Sequence, residues 1–189
     1  MRFGTMPVEA ARGAVLAHAV SAPGGLAFKK GRVLSEADVA ELRERGVEAV
    51  VATRLEPGDV PEDEAAARLA AAVAGPGVRA GAAYTGRVNL FASARGLLVA
   101  DAPRVDRLNA RDEAITLATL PAFVVVDPGR MVGTVKIIPF AAPAGALAEC
   151  VALAGGDAER PIVWVAPFHP LRYRLVQTVL PGTPAKRRG

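Results

Sequence analysis

With a single cysteine, Cys150, the chain of 189 residues cannot close an internal disulfide. A reducing compartment suits such a chain. Cys150 lies in the apolar run Ala146–Leu153, where it reads as a small buried hydrophobe, and no base stands nearby in sequence to make it a nucleophile. Histidine is almost as scarce. His18 and His169 are the only two, too far apart for the close set of His and Cys ligands that zinc favours. Serine is confined to positions 21, 35 and 93, and none of them stands in a nucleophile elbow. Aromatic residues are only 5% against an apolar fraction of 51%, so alanine and valine must supply much of the core. Long hydrophobic runs are missing as well. The uncharged stretch Ile137–Ala148 is short and broken by Pro139, Pro143 and Gly145, which excludes a bilayer span. Gly13–Ala22 imitates a signal peptide, but it is brief, contains His18 and follows Glu9. The expectation is a cytoplasmic protein with no membrane partner.

Charge of one sign is not in large excess. Lysine and arginine number 23 and the acids 19, for a net +4. Three of the positive charges sit in the final Lys186-Arg187-Arg188-Gly189. Nucleic-acid binding calls for a basic face or stripe, so no nucleic-acid partner is expected, and residues 183–189 read as a solvated, disordered basic tail.

What the chain does contain is a succession of short elements. Met1–Val8 and Gly13–Val20 read as strands, with turns at Pro23-Gly24-Gly25 and Lys29-Lys30-Gly31-Arg32. Ser35-Glu36-Ala37-Asp38 has the form of a capping box opening a helix, which Gly46 ends before a strand at Val47–Ala52. Glu56-Pro57-Gly58-Asp59 is a hinge-like turn and the best internal boundary. Pro61 and the acids after it start a second helix that runs to Ala74. Short strands and turns fill 78–98. Asp101 caps a helix to Asn109, with Val105 and Leu108 facing inward. Strands follow at Ile115–Leu120, Phe123–Val126 and Met131–Phe140, then a helix over Pro143–Ala154, then strands at Ile162–Val165 and Tyr173–Leu180. Helices and strands mix without a βαβ rhythm, which gives an α+β class with irregular mixed sheets and several short helices. The expected division is a β-rich lobe with one helix at 1–55 and an α+β lobe at 56–182.

Motifs of known chemistry are weak. Gly129-Arg130-Met131-Val132-Gly133-Thr134-Val135-Lys136 has glycines and a lysine, but the lysine is displaced and no helix follows, so it is not a phosphate loop. Glu56, Asp59, Glu62, Asp63 and Glu64 carry enough oxygen ligands for Mg²⁺, although a charge-stabilised helix start is the plainer reading and the one preferred. The polar stretch Asn109-Ala110-Arg111-Asp112-Glu113 runs into a strand carrying Thr116 and Thr119, which alternation puts on opposite faces. It reads either as the lip of a site or as a turn entering a strand.

The segment Phe28–Leu42, with Gly46-Val47, resembles a phrase of the molybdopterin molybdotransferase family: a basic glycine turn, a capped helix, then glycine and valine into a strand. Four later segments resemble one bacterial branch of molybdopterin-binding proteins. They are Arg54–Val60 with Glu62–Ala66, Thr85–Leu90, Asp112–Leu120 and Thr134–Phe140. The likeness runs over nearly the whole chain, and its specificity lies in order and spacing. It implies the two-lobed N-terminal region of those enzymes and a role in molybdenum cofactor biosynthesis, binding or presenting molybdopterin. The aspartate-rich D-N-S-A-M-D-G motif is not seen. The α/β domain that holds the pterin phosphate in the larger relatives would begin about where this chain ends. The expectation is therefore an N-terminal fragment or a short form without a complete catalytic site, so no catalytic residue is carried over. Candidate cofactor-binding residues within or beside these segments are Arg87, Asn89, Asn109, Asp112, Thr116, Thr119 and Lys136. Arg87 and Lys136 suit phosphate, while Asn and Thr suit pterin amide edges. The alternative is a non-enzymatic module that forms homo-oligomers or docks on a separate pterin-binding domain.

Overall fold

The computed structural model describes residues 1–22, 25–155, 161–176, 178 and 181. Its buried apolar side chains form two clusters. One is drawn from Val8 to Ala52, the other from Val60 to Val165. The class is α+β, with several small sheets and four α-helices among the described residues.

The first cluster is built by β1 (Arg2–Pro7), β2 (Val15–Leu16), β3 (Val20–Ala22), β4 (Leu26–Phe28), α1 (Glu36–Glu44) and β5 (Ala49–Arg54). β5 lies between β1 and β2, antiparallel to both. Helix α1 begins where the sequence says it should. The Asp38 N–H donates to Ser35 Oγ at 3.1 Å, and the Ser35 N–H donates back to Asp38 Oδ2 at 2.9 Å. Arg32 adds a bidentate grip on the same carboxylate at 2.7 and 3.1 Å. Its guanidinium also stands 4.4 Å from the centroid of the buried Phe28 ring. One side chain thus joins β4, the basic turn and the helix start. Gly46 ends the region at φ 74°, a conformation glycine adopts without penalty.

The second cluster contains β6 (Asp59–Pro61), α2 (Glu62–Val73), β7 (Val78–Ala80), β8 (Arg87–Ala92), β9 (Gly96–Ala100), α3 (Ala102–Asn109), β10 (Ile115–Thr119), β11 (Val125–Val126), β12 (Met131–Ile137), β13 (Ala141–Pro143), α4 (Ala144–Gly155) and β14 (Val163–Pro167). Its largest sheet has the order β10-β12-β8-β7, antiparallel throughout. Helix α2 turns Ala65, Ala66, Leu69, Ala70 and Val73 inward. Three of these five are alanines, so the helix axis comes close to the sheet and to α4 without leaving a void. Leu147, Cys150 and Ala154 return the contact from α4. Cys150 is fully buried, and burial pushes its thiol pKa upward, as befits a packing residue.

Four strand expectations need correction. Gly13–Val20 is strand only at Val15–Leu16 and again from Val20, and Met131–Phe140 ends at Ile137, short of Pro139, which has no N–H for a ladder. Phe123–Val126 is reduced to Val125–Val126, because Phe123 has φ 68°, which no strand accommodates. Tyr173–Leu180 forms no strand among its described residues; Gln177, Val179 and Leu180 lie outside them. The Pro23-Gly24 part of the first turn, Gly156 and the tail 183–189 are also outside the described residues.

The Arg32–Asp38 pair makes a measurable demand on pH. Chiefly through the hydrogen bonds from Arg32, then those from Ser35, the Asp38 pKa falls from the ordinary 3.8 to about 2. A folded-state pKa below the unfolded one gives stability that is present above pH 4 and lost as pH falls towards 2. Arg32 is half exposed, so solvent screening reduces the contribution to about 1–2 kcal/mol. Asp38→Asn should lose about that much at neutral pH and show a flatter acid limb in urea unfolding. Parallel acid limbs for the two proteins would contradict this assignment.

Candidate functional site

The inner face of the large sheet consists of Val88, Leu90, Ala92, Val135, Ile137, Ile115 and Leu117, all buried. Alternation sends their neighbours outward. Register then decides who meets whom. Thr116 pairs with Lys136, and Lys136 with Arg87. In the next outward row Ala118 pairs with Thr134, and Thr134 with Asn89. Beyond that, Phe91 pairs with Arg79, whose guanidinium lies 4.8 Å from the ring centroid. The outer face therefore gathers Arg87, Asn89, Thr116 and Lys136 of the expected set. Thr119, three residues on from Thr116, takes the other parity and pairs with Gly133.

Two features of this face run against stability. Lys136 and Arg87 are directly opposite cations, an unfavourable cross-strand pair, and neither forms an ion pair with a carboxylate among the described residues. The amide oxygen of Asn89 is buried without a hydrogen-bond partner among the described residues, which costs on the order of 1–3 kcal/mol.

The remaining two expected residues serve the fold. Asn109, at the end of α3, donates from Nδ2 to the Leu117 carbonyl at 2.9 Å. Its Oδ1 accepts the Leu117 N–H at 2.8 Å. The side chain thus imitates the next strand and closes the exposed edge of β10. Asp112 Oδ1 accepts the Ala114 N–H at 2.8 Å in a turn just before β10, as Asx turns do. Arg111 leaves the stretch to pair with Glu149 at 3.6 Å. Asp112 and Glu113 also line a 520 Å³ hollow with Met1, Asp59 and Ile138. For most of the N-x-R-D-E stretch, then, the turn reading describes the contacts.

The acids at 56–64 do not converge. Glu56 and Asp59 hold the Met1 ammonium at 2.7 and 2.8 Å. Asp63 accepts the Gly86 N–H at 2.7 Å, and Glu64 pairs with Arg68 at 3.7 Å. Among the described residues, no group of three or more His, Cys, Asp or Glu is placed to hold a metal ion.

Sequence reading missed the device that shapes the site. Tyr84 and Arg87 exchange backbone hydrogen bonds at 2.9 and 3.1 Å, enclosing a two-residue turn with Thr85 at φ 48° and Gly86 at φ 69°. That is the primed hairpin geometry, usually spelt Asn-Gly or Asp-Gly. Thr-Gly was its disguised signal. The turn is pinned on both sides, by Asp63 through the Gly86 N–H and by the Ile137 N–H donating to the Gly86 carbonyl at 2.7 Å. It separates two hollows. One, of 490 Å³, is lined by Gly81, Ala82, Tyr84, Thr85, Arg87, Asn89 and Phe91. The other, of 410 Å³, has Lys29, Lys30, Glu62, Tyr84, Thr85, Lys136 and Phe140 in its wall.

Residues 5–54 match a family model described as a domain of unknown function, DUF8806. The matched span runs from within β1 to the end of β5. No curated protein and no solved structure matched the chain.

Two substitutions check this geometry. Asn109→Ala should cost about 1–3 kcal/mol in urea unfolding, since it strips both backbone partners from Leu117. An unchanged midpoint would show that the amide is dispensable. Gly86→Ala should cost at least about 1 kcal/mol, because L residues strain at positive φ. The added Cβ would also stand 2.7 Å from Glu62 Oε2 and 2.8 Å from the Ile137 carbonyl. Parent-like stability of Gly86→Ala would refute the pinned turn.

Proposed function

We propose that the chain is a cofactor-binding module of molybdenum cofactor biosynthesis, taking molybdopterin on the outer face of β10-β12-β8-β7 without a complete catalytic site of its own. The observation that carries the reading is the cross-strand cation pair Lys136–Arg87, with no ion pair to a carboxylate among the described residues, beside the orphaned Asn89 acceptor. A sheet selected only for stability would place an acid opposite Lys136 and an apolar residue at 89. An anionic ligand bearing N–H donors satisfies both at once. Phosphate suits the two cations, with Arg87 able to bind it through two parallel bonds. The donor edge of a pterin suits the Asn89 oxygen, Thr116 adds a hydroxyl that donates or accepts, and the Thr134 hydroxyl, which donates to the Val88 carbonyl at 3.3 Å, can still accept. The choice of a pterin over other phosphorylated heterocycles rests on the resemblance of Thr85–Leu90, Asp112–Leu120 and Thr134–Phe140 to molybdopterin-binding proteins.

A second reading has its own observation. Phe168, Leu171, Tyr173, Leu175 and Val176 are all at least half exposed, along an unpaired segment. Such a segment suits docking on a separate pterin-binding domain or on a second copy of the chain. A mass that stays monomeric across a wide concentration range would remove the homo-oligomer form of this reading.

The direct test is calorimetric titration with molybdopterin of the parent and of Asn89→Leu. Removing a buried orphan acceptor should leave stability equal or raised by up to about 1–3 kcal/mol. It should weaken cofactor binding by about tenfold or more. Equal affinity of the two proteins, or no saturable binding by the folded parent, would overturn the proposal.

A further inference from the structure

We infer that the cleft on the far side of the 85–86 turn is a second binding site, for the phosphate of a small phosphate monoester. It shares Lys136 with the sheet-face reading and differs from it in Lys29, Lys30 and Glu62, which do not lie on that face.

Three lysines line this 410 Å³ cavity from segments a hundred residues apart: Lys29 and Lys30 from the basic turn of the first cluster, Lys136 from the end of β12. None forms an ion pair within 4.0 Å of a carboxylate among the described residues. Clustered cations repel one another, and nothing in the packing of either cluster needs them there. The Lys30 Nζ lies 5.4 Å from the centroid of the Phe140 ring, a contact that favours this position of the head group while leaving its N–H donors for a ligand. Tyr84 and Thr85 line the same cavity and bring hydroxyl donors.

Glu62 sets the charge that fits. It is half-buried in the same wall, and three lysines against one carboxylate leave two positive charges. A phosphate monoester dianion balances them, whereas a single carboxylate ligand does not. Burial is the chief cause that raises the Glu62 pKa, followed by the charge of Asp63, with Lys30 and Lys136 opposing. Glu62 is thus a poorly solvated anion that competes with the ligand for the same lysines. Its neutral isostere should bind anions better than the parent.

Both walls of the cleft are tight turns at positive φ, Gly31 at 83° on one side and Thr85-Gly86 on the other. Their amides report on ligand in the cleft. The test titrates the ¹⁵N-labelled full chain with sodium sulfate, inorganic phosphate and phenyl phosphate at constant ionic strength, following the Gly31, Thr85 and Gly86 amides. Saturable shifts there are expected, weakened about tenfold by Lys30→Ala, tightened several-fold by Glu62→Gln, and unchanged by Arg130→Ala on a distant loop. Tighter binding of phenyl phosphate than of inorganic phosphate identifies an organic monoester as the ligand class; the reverse order assigns the site to free phosphate and overturns the monoester. Non-saturating shifts, or equal affinity of Lys30→Ala and parent, would overturn the site itself. Asn89→Leu should retain sulfate binding, so loss of pterin binding with retained sulfate binding tells failure at the sheet face from failure of the cleft.

Discussion

Close contact between the alanine-rich face of α2 and the paired strands β8 and β12 is the constraint on which the rest depends. Ala65, Ala66 and Ala70 let the helix lie against Val88, Leu90, Val135 and Ile137. Because side chains alternate along a strand, burying that set leaves no choice about the other face. Arg87, Asn89, Thr116, Thr134 and Lys136 must all point outward, each opposite at least one other of the set across a strand pair. A slip of one residue in β12 would bury Lys136 and Thr134 and expose Val135. The cost of interring an ammonium excludes that register. The polar face is thus a consequence of the core, held by the same packing energy.

Two local devices turn that face into a bounded surface. The amide of Asn109 closes one edge by occupying the backbone groups of Leu117, which also protects β10 from pairing with another chain. At the other side the Thr85-Gly86 turn stands as a partition, fixed by Asp63 and Ile137. Both devices store cost, one as an exposed side chain that must stay ordered, the other as a threonine at positive φ. Both lie close to the Lys136–Arg87 pair, whose like charges also face each other across the strands.

Much of the first cluster was legible in the residues. The Ser35/Asp38 capping box, the glycine stop at 46 and the apolar spacing of α1 each act within a few positions, and local rules read them correctly. Helices α2, α3 and α4 were found for the same reason. Phe123 was misread because its apolar neighbours suggest a strand while its backbone takes a left-handed turn, a choice set by the Phe123 N–H donating to the Leu98 carbonyl. Asn109 and Asp112 read as ligand groups, because polar clusters before a strand serve sites and turns alike; the contacts they make here are to the backbone of Leu117 and Ala114. Only the partner atoms tell them apart. Lys29, Lys30 and Glu62 were read as a basic turn and a helix start, each in its own segment. Their convergence with Lys136 depends on how the basic turn meets the end of β12, and no pattern within either segment carries that information.

The most direct measurement is amide hydrogen exchange of the full chain with and without molybdopterin. Ligand on the outer face should slow exchange in β8 and β12, around Asn89, Thr134 and Lys136, and leave the loop carrying Phe123 unchanged. Protection confined to that loop or to residues 168–176, with β8 and β12 unaffected, would contradict the assignment of the sheet face as the binding surface.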